Sequence, residues 1–152
     1  MFSKILVPVD FSEYTDEILE YAAEIAKKFG SSLHLIHVIP TMDYFTPYES
    51  FIAVENVEAA QKTIEAEVKK QLKETAGRIT GIDVTGAVRT GAAFIEITEY
   101  AESEGIDLIV MGTHGRGGIE HLLLGSVAGR VIRRAPCPVL TIRPTKKRAG
   151  TP

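Results

Sequence analysis

Residues 108–118 read LIVMGTHGRGG, an apolar run that passes directly into residues 112–118, where four of seven positions are glycine. A run that is apolar throughout is typical of a strand covered by helices on both faces, as in a parallel sheet. Residues 5–9, ILVPV, have the same character. We therefore predict that both runs are central strands of a parallel sheet.

Three further runs are apolar and β-branched: residues 33–38, 82–88 and 139–142. Longer segments, in which apolar residues recur with the period of a helix, separate the five runs from one another. This alternation predicts βαβ units and an α/β fold, a single doubly wound domain with a five-stranded parallel sheet and helices on both faces. Residues 82–88 alternate between apolar and polar side chains, which indicates a strand near an edge. The last run is bounded by Pro136, Pro138 and Pro144, and proline also favours an edge strand.

The segments between the runs are predicted to form four helices. Ser12 can cap the first helix and Gly30 can end it. Its apolar stripe consists of Ile18, Leu19, Ala22, Ala23, Ala26 and Phe29. The other three helices are predicted over about residues 55–76, 92–103 and 126–134.

At 152 residues the chain is long enough for one core and short for two domains. We predict one domain over residues 1–144 and a basic, disordered tail over residues 145–152. Segment 40–53 is longer than an ordinary connection. Its aromatic residues either pack onto the domain or a twin subunit, or form a flap beside a ligand, and both interpretations stay open. These residues are Tyr44, Phe45, Tyr48 and Phe51.

The net charge of −3 argues against a general attraction to nucleic acid. Residues 105–152 nevertheless carry 8 basic and 2 acidic side chains, which would suit an anionic ligand. The single cysteine, Cys137, excludes an internal disulfide and is expected to be a buried strand residue. No apolar stretch approaches the roughly 18 residues of a membrane span, and the first residues show no leader pattern, so we expect a cytoplasmic protein without a membrane partner.

The glycines at 112–118 and the Gly125-Ser126 pair before the last helix form a candidate phosphate site. Glycine lets backbone N–H groups approach a ligand closely, and the start of a helix favours an anion. Glycine also makes ordinary turns, so phosphate binding and a structural turn are equally open on these grounds. The dinucleotide pattern G-x-G-x-x-G does not follow the first strand, and the Walker pattern is absent, which argues against an efficient ATPase.

Three segments in order make the interpretation more specific. Gly112, Gly115 and, after nine further residues, Gly125-Ser126 form a G-2x-G-9x-G-[ST] pattern. Residues 5–12, ILVPVDFS, and residues 135–140, APCPVL, lie at the first and last predicted strands. Together, from residue 4 to 143, they resemble the ATP-binding branch of the universal stress protein family.

The resemblance implies the strand order 3-2-1-4-5 and ATP, with or without Mg²⁺, across the ends of strands 1 and 4. Its adenosine would contact Pro8, Val9, Asp10, Val38, Met111 and Gly112. Its phosphates would contact Gly115, Arg116, Gly125, Ser126 and Val127. A branched side chain at Gly125 would then fill the phosphate space. His114 lies in the same loop as a further candidate contact, whereas Asp10 could instead pair with Glu13 to cap the first helix.

This resemblance implies an ATP-binding stress-response or signalling module that acts on an unknown downstream protein and pairs as a homodimer through its last strand. We expect no catalytic residue and slow hydrolysis at most, because no base accompanies the loop. An ATP-using enzyme of the adenine-nucleotide hydrolase-like group is the alternative. It is disfavoured because residues 9–12, VDFS, replace the S-G-G-x-D-S loop of that group. A third possibility is a family branch without nucleotide. His34 and His37 are expected to be packed or edge residues on opposite faces of a strand.

Overall fold

The computed structural model describes residues 1–41, 54–114 and 124–145. Strands and helices alternate along this part of the chain, as the sequence pattern predicts. Their bounds are β1 (Lys4–Pro8), α1 (Thr15–Phe29), β2 (Ser32–Ile39), α2 (Val54–Gly77), β3 (Val84–Thr90), α3 (Ala93–Ser103), β4 (Leu108–Gly112), α4 (Ser126–Arg134) and β5 (Val139–Ile142).

The five strands form one parallel sheet in the order β3-β2-β1-β4-β5. This order confirms the prediction that β1 and β4 are central and that β3 and β5 lie at the edges. Leu6 of β1 pairs with His34 on one side and with Ile109 on the other. The chain thus builds outward from β1 to β3 and then returns to the opposite side, which opens a crevice at the carboxyl ends of β1 and β4.

Apolar side chains cover both faces of the sheet, because successive residues of a strand point in opposite directions. Ile5 and Val7 pack with Leu19 of α1 on one face. Leu6 packs with Ile97 of α3 on the other face. Burying one such side chain fully contributes about 1.5–3 kcal/mol, and all four side chains from β1 and α3 named here are at most 2% exposed. A doubly wound α/β domain therefore has two cores, one on each side of its sheet.

The observed helix bounds differ from the predicted ones chiefly at the start of α1. The prediction that Ser12 caps this helix is wrong, because the helix begins at Thr15 and the residue at its cap position is Tyr14, whose side chain makes no capping hydrogen bond. Phe29, predicted to complete the apolar stripe, is 50% exposed and packs edge-to-face on Phe2. The stripe therefore stops one turn earlier than the sequence pattern indicates.

Cys137 also differs from the expectation of a buried strand residue. It precedes β5 and is half-buried as a free thiol. Burial is the largest cause that raises the pKa of this thiol, and the charge of Asp107 adds to it. A raised pKa leaves the group in its unreactive protonated form.

Several predictions fall on parts of the chain outside the described residues. They concern the four aromatic residues of segment 40–53, the loop residues Gly115 and Arg116, and the tail after Thr145. Within the described ranges, no helix is both long and apolar enough to cross a membrane.

Candidate functional site

A cavity of about 450 Å³ lies at the carboxyl ends of β1, β2 and β4. This position is the crevice that the strand order creates, where ligands of open α/β sheets bind. Its volume falls within the range of about 300–1,000 Å³ that is usual for small-molecule sites. The fold therefore places a ligand-sized space where the sequence predicts one.

Ten of the twelve predicted site residues line this one cavity: Pro8, Val9, Asp10, Val38, Met111, Gly112, His114, Gly125, Ser126 and Val127. The other two, Gly115 and Arg116, lie outside the described residues. The fold thus brings together three distant segments of the chain, from β1, β2 and the β4–α4 connection. Their contacts to a ligand stay predictions.

Sequence reasoning missed nine further residues that line the cavity: Val7, Thr15, Ile18, Ile36, His37, Ala93, Ile97, Thr113 and Ala128. Most of them lie on helices, whose apolar stripes were predicted only to face the sheet. The periodicity of a helix indicates its buried face but does not show which buried residues border a space. Val7, His37 and Thr113 did carry a local signal, because each of them immediately precedes a predicted site residue in the sequence.

The turn from β1 to α1 is held by side-chain oxygens that accept hydrogen bonds from nearby N–H and hydroxyl groups. The Asp10 carboxylate (Oδ1) accepts hydrogen bonds from the Ser12 N–H, at 2.9 Å, and from the Thr15 hydroxyl, at 3.3 Å. The Ser12 hydroxyl accepts one from the Tyr14 N–H at 3.3 Å. These bonds explain the late start of α1, since Asp and Ser side chains that bond locally compete with the helix. Asp10 therefore has a structural task in this turn besides lining the cavity.

Where α4 begins, the backbone of Gly125 passes very close to the backbone of Thr113 after β4, and we call this approach the crossing. The Gly125 N–H donates to the Thr113 carbonyl at 2.6 Å. A Cβ at position 125 would lie 2.9 Å from that same carbonyl oxygen, and one at Gly112 would lie 2.7 Å from the Ile18 Cδ1. The space beside Gly125 is thus occupied by the chain's own backbone. This corrects the expectation that a branched side chain there would act by filling the space of a phosphate.

The first turn of α4 borders the cavity with unpaired N–H groups. Gly125 precedes the helix in extended conformation and provides no side-chain cap, and no acidic residue lies in the first turn. Within the described chain, the N–H groups of Ser126, Val127 and Ala128 have no recorded hydrogen-bond acceptor. Such groups, together with the positive end of the helix dipole, favour an anion.

His114 adds an unsatisfied polar atom to the same region. Its Nδ1 lies 3.0 Å from the Thr113 hydroxyl, whereas its Nε2 is buried and has no hydrogen-bond partner among the described residues. Buried polar atoms are nearly always paired in folded proteins, so an unpaired one is a candidate ligand contact. The donors that could meet an anion here are thus backbone N–H groups and an imidazole.

The arginines of α4 do not contribute to the cavity wall. The guanidinium groups of Arg130 and Arg134 lie over the ring of Phe94, 5.0 and 5.2 Å from its centroid. Neither residue lines the cavity. The positive balance of residues 105–152 therefore supplies no cationic wall in the described part of the cavity, where backbone dipoles must attract an anion.

A second and larger concavity, of about 610 Å³, lies on the outer face of α1. Its lining includes five carboxylates, from Glu13, Asp16, Glu17, Glu20 and Glu24. An anionic ligand would be repelled there, because like charges at short distance cost free energy. The cavity at the sheet end is therefore the better candidate for an anion.

The described residues contain no group of three or more His, Cys, Asp or Glu side chains that could hold a metal ion. Within the described cavity lining, Asp10 is the one carboxylate. A divalent cation needs few protein ligands when phosphate oxygens supply the others. Any magnesium at this site would consequently be held chiefly by the ligand.

Comparison with known proteins gives one consistent result. The family model described as "Universal stress protein family" matches residues 1–143. Universal stress protein MJ0531 of Methanocaldococcus jannaschii is 35% identical over 97% of this chain and 85% of its own length. Universal stress protein MJ0577 of the same organism is 30% identical over 94% of this chain and 96% of its own. Its solved structure superposes with a TM-score of 0.80 at 31% identity, over 97% of this chain and 99% of that one.

A more distant solved relative is a universal stress protein from Archaeoglobus fulgidus in complex with dAMP. It superposes with a TM-score of 0.65 at 24% identity, over 93% of this chain and 98% of its own. At this identity the likeness establishes the common fold alone. The match of the family model over nearly the whole chain, with relatives of 30% identity or more along most of their length, shows that this chain belongs to the universal stress protein family.

Proposed function

We propose that this protein binds ATP in the cavity at the carboxyl ends of β1, β2 and β4 and acts as a nucleotide-dependent stress-response or signalling module. The observation that carries the proposal is the start of α4, where three N–H groups that have no acceptor among the described residues border a cavity of about 450 Å³. An uncapped helix start at the wall of a cavity attracts an anion. The dAMP complex of the relative from A. fulgidus is in keeping with an adenine nucleotide as that anion.

The orientation of the nucleotide follows from the distribution of polar groups in the cavity. The phosphates lie at the N–H groups of α4 and near the Nε2 of His114, because these groups have no hydrogen-bond partner among the residues that the structure describes. The adenosine lies toward Val38, Ile97 and Met111, which are apolar. Asp10 then faces the ribose, whose hydroxyl groups can donate to a carboxylate.

The experiment is a titration of the purified protein with ATP by calorimetry, with and without Mg²⁺, after mass spectrometry of any molecule that co-purifies. We expect saturable binding of ATP and weaker binding of adenosine, because adenosine lacks the anion. Adenosine binding as tight as that of ATP would contradict a phosphate site at α4. An absence of binding by any adenine nucleotide would refute the proposed function.

We further propose that hydrolysis is slow at most and that no residue is catalytic. Hydrolysis requires a group that orients the attacking water near the terminal phosphate. Asp10, the one carboxylate of the described lining, is at the ribose in the orientation above and already accepts bonds from Ser12 and Thr15. Phosphate release by the purified protein should therefore be barely above that of buffer. Sustained turnover would instead favour an ATP-using enzyme.

We also propose a cytoplasmic homodimer that associates through β5 and presents its nucleotide state to a downstream protein. β5 is an edge strand, and Leu140 is 39% exposed there. Exposed edges tend to pair with another chain. Leu140→Asp should shift gel filtration toward the monomer, while Leu140→Thr, uncharged and suited to a strand, should preserve the dimer. Ile142 is unsuitable for this test, because at 8% exposure a charge there would disrupt the core.

A further inference from the structure

The two histidines of β2 lie on opposite faces of the sheet and make different contacts. His34 is buried against α3, where its Nδ1 lies 2.8 Å from the Tyr100 hydroxyl. His37 faces the turn between β1 and α1, where its Nδ1 lies 2.6 Å from the Val9 carbonyl. A carbonyl can only accept a hydrogen bond, so the Nδ1 of His37 carries a proton and donates it to Val9.

His37 makes a second contact on the other side of Asp10. Its ring stacks on Phe11, with the ring centroids 4.7 Å apart and the planes tilted by 33°. Phe11 has a φ of 57°, in the left-handed region that bulky side chains rarely adopt. A conformation of this kind persists only where surrounding contacts fix it. The stack with His37 is such a contact.

Asp10 is therefore flanked by two residues that His37 fixes, Val9 through a hydrogen bond and Phe11 through stacking. Asp10 also accepts hydrogen bonds from the Ser12 N–H and the Thr15 hydroxyl, so the contacts of His37 add to those that the start of α1 already makes with this turn. We propose that His37 is a positioning residue for the nucleotide site: it fixes the turn that presents Asp10 to the cavity. This inference rests on the proposed function, because Asp10 matters to a ligand only if the cavity binds one.

The test compares substitutions of the two histidines, since each removes a hydrogen bond from the same strand. His37→Leu removes the donor to Val9, and His37→Asn restores a nitrogen donor at the same number of bonds from the backbone. His34→Leu is the matched control on the opposite face. ATP and adenosine affinities are measured by calorimetry, and the backbone amides of residues 9–15 by ¹H–¹⁵N correlation spectra.

We expect His37→Leu to weaken both ATP and adenosine about tenfold, the equivalent of one net hydrogen bond. His37→Asn should stay within about threefold of wild type, because the amide replaces the donor. His34→Leu should lose thermal stability with little change in affinity. The amides of residues 9–15 should shift in His37→Leu and stay near their wild-type positions in His34→Leu.

Wild-type affinity in the His37→Leu variant, or an equal loss in His34→Leu, would overturn the proposal. So would a ¹⁵N spectrum of the wild-type imidazole with the proton of neutral His37 on Nε2 instead of Nδ1. If His37→Leu does not fold, a large loss of affinity in His37→Asn contradicts the proposal and a small loss supports it. Failure of the wild type to bind any adenine nucleotide would refute the proposed function, and the imidazole and amide spectra would still decide whether His37 fixes the turn.

Discussion

The start of α4 offers a direct way to test whether a phosphate lies there. Val127 is in the first turn of that helix, lines the cavity and is 37% exposed. We consider Val127→Asp, which places a carboxylate beside the first three N–H groups of α4, for which the described ranges contain no acceptor. An acidic residue in the first turn stabilises a helix by about 0.3–1 kcal/mol, so this variant is expected to fold. It should nevertheless repel an anion that occupies the same place.

The size of this effect follows from Coulomb's law. Two unit charges about 6 Å apart interact by about 0.7 kcal/mol in bulk water and by about 2.8 kcal/mol at an effective dielectric constant of 20. The partial exposure of Val127 keeps each pairwise interaction in the lower half of that range, while a phosphate tail carries several charges. We expect a total loss of about 1.4–2.8 kcal/mol, which weakens ATP binding about tenfold to a hundredfold.

The matched control is Val127→Asn, which has almost the same shape as aspartate but no charge. Calorimetric titrations of both variants with ATP and with adenosine separate charge from shape. ATP should bind Val127→Asn with near wild-type affinity, and adenosine should bind both variants about equally. The loss in Val127→Asp should shrink as salt is added, because ionic screening weakens the repulsion of partly exposed charges.

Two results would refute the reasoning. If Val127→Asp and Val127→Asn weaken ATP equally, the side chain contributes through packing and the phosphates are elsewhere. If adenosine loses as much affinity as ATP in the aspartate variant, the turn has been distorted and the charge is not the cause. In either case the orientation proposed for the nucleotide would have to be abandoned.

Two further predictions concern stability. Gly112→Ala should destabilise the fold by about 1–3 kcal/mol, because its Cβ would lie 2.7 Å from the Ile18 Cδ1. Ile18→Val deletes that atom, so the double variant should recover part of the lost stability. Urea unfolding measures both effects. Burial, with a smaller contribution from the charge of Lys4, lowers the pKa of His34 below its ordinary 6.5. As the pH falls, the unfolded chain therefore binds a proton at this histidine before the folded protein does. The free energy of unfolding should consequently decrease as the pH drops below about 6.5. His34→Asn should remove this part of the pH dependence of the melting temperature, and an unchanged dependence would contradict it.

The sequence was sufficient to predict the order of helices and strands, because each type of element shows its own spacing of apolar residues. The spacing is 2.0 residues in a strand and 3.6 in a helix, and it can be read within a short segment of sequence. It located α4 at residues 126–134, as observed, because Ser126 and Pro136 mark its limits. It placed the start of α1 wrongly at Ser12, since that serine and Asp10 bond within the turn instead of capping the helix. Propensity alone does not separate these two uses of a short polar side chain.

Nearly half of the residues in the cavity wall were not predicted from the sequence. Ile97 of α3 and Thr15 of α1 border the space through contacts between elements that are far apart in the chain. The resemblance to a family supplied only the residues that its motifs contain. His37 was expected to be packed, and it does pack on Phe11. His37 also borders the cavity, because β1 ends beside it in the pairing of β1 with β2. This pairing is set by the sheet and cannot be read from the histidine itself.

The glycine pattern has a physical meaning that differs from its first interpretation. Gly125 is required because the N–H and Cα of this residue approach the Thr113 carbonyl too closely for a side chain. A protein with this fold would need that glycine whether or not it bound a nucleotide, so a variant such as Gly125→Val would disturb the crossing before it disturbed a ligand. What distinguishes a binding site is the consequence of this close approach, which brings an uncapped helix start to the cavity wall. Its first three N–H groups have no acceptor within the described part of the chain. A change of charge at Val127, which leaves the crossing intact, therefore tests nucleotide binding where a change at the signature glycine tests only packing.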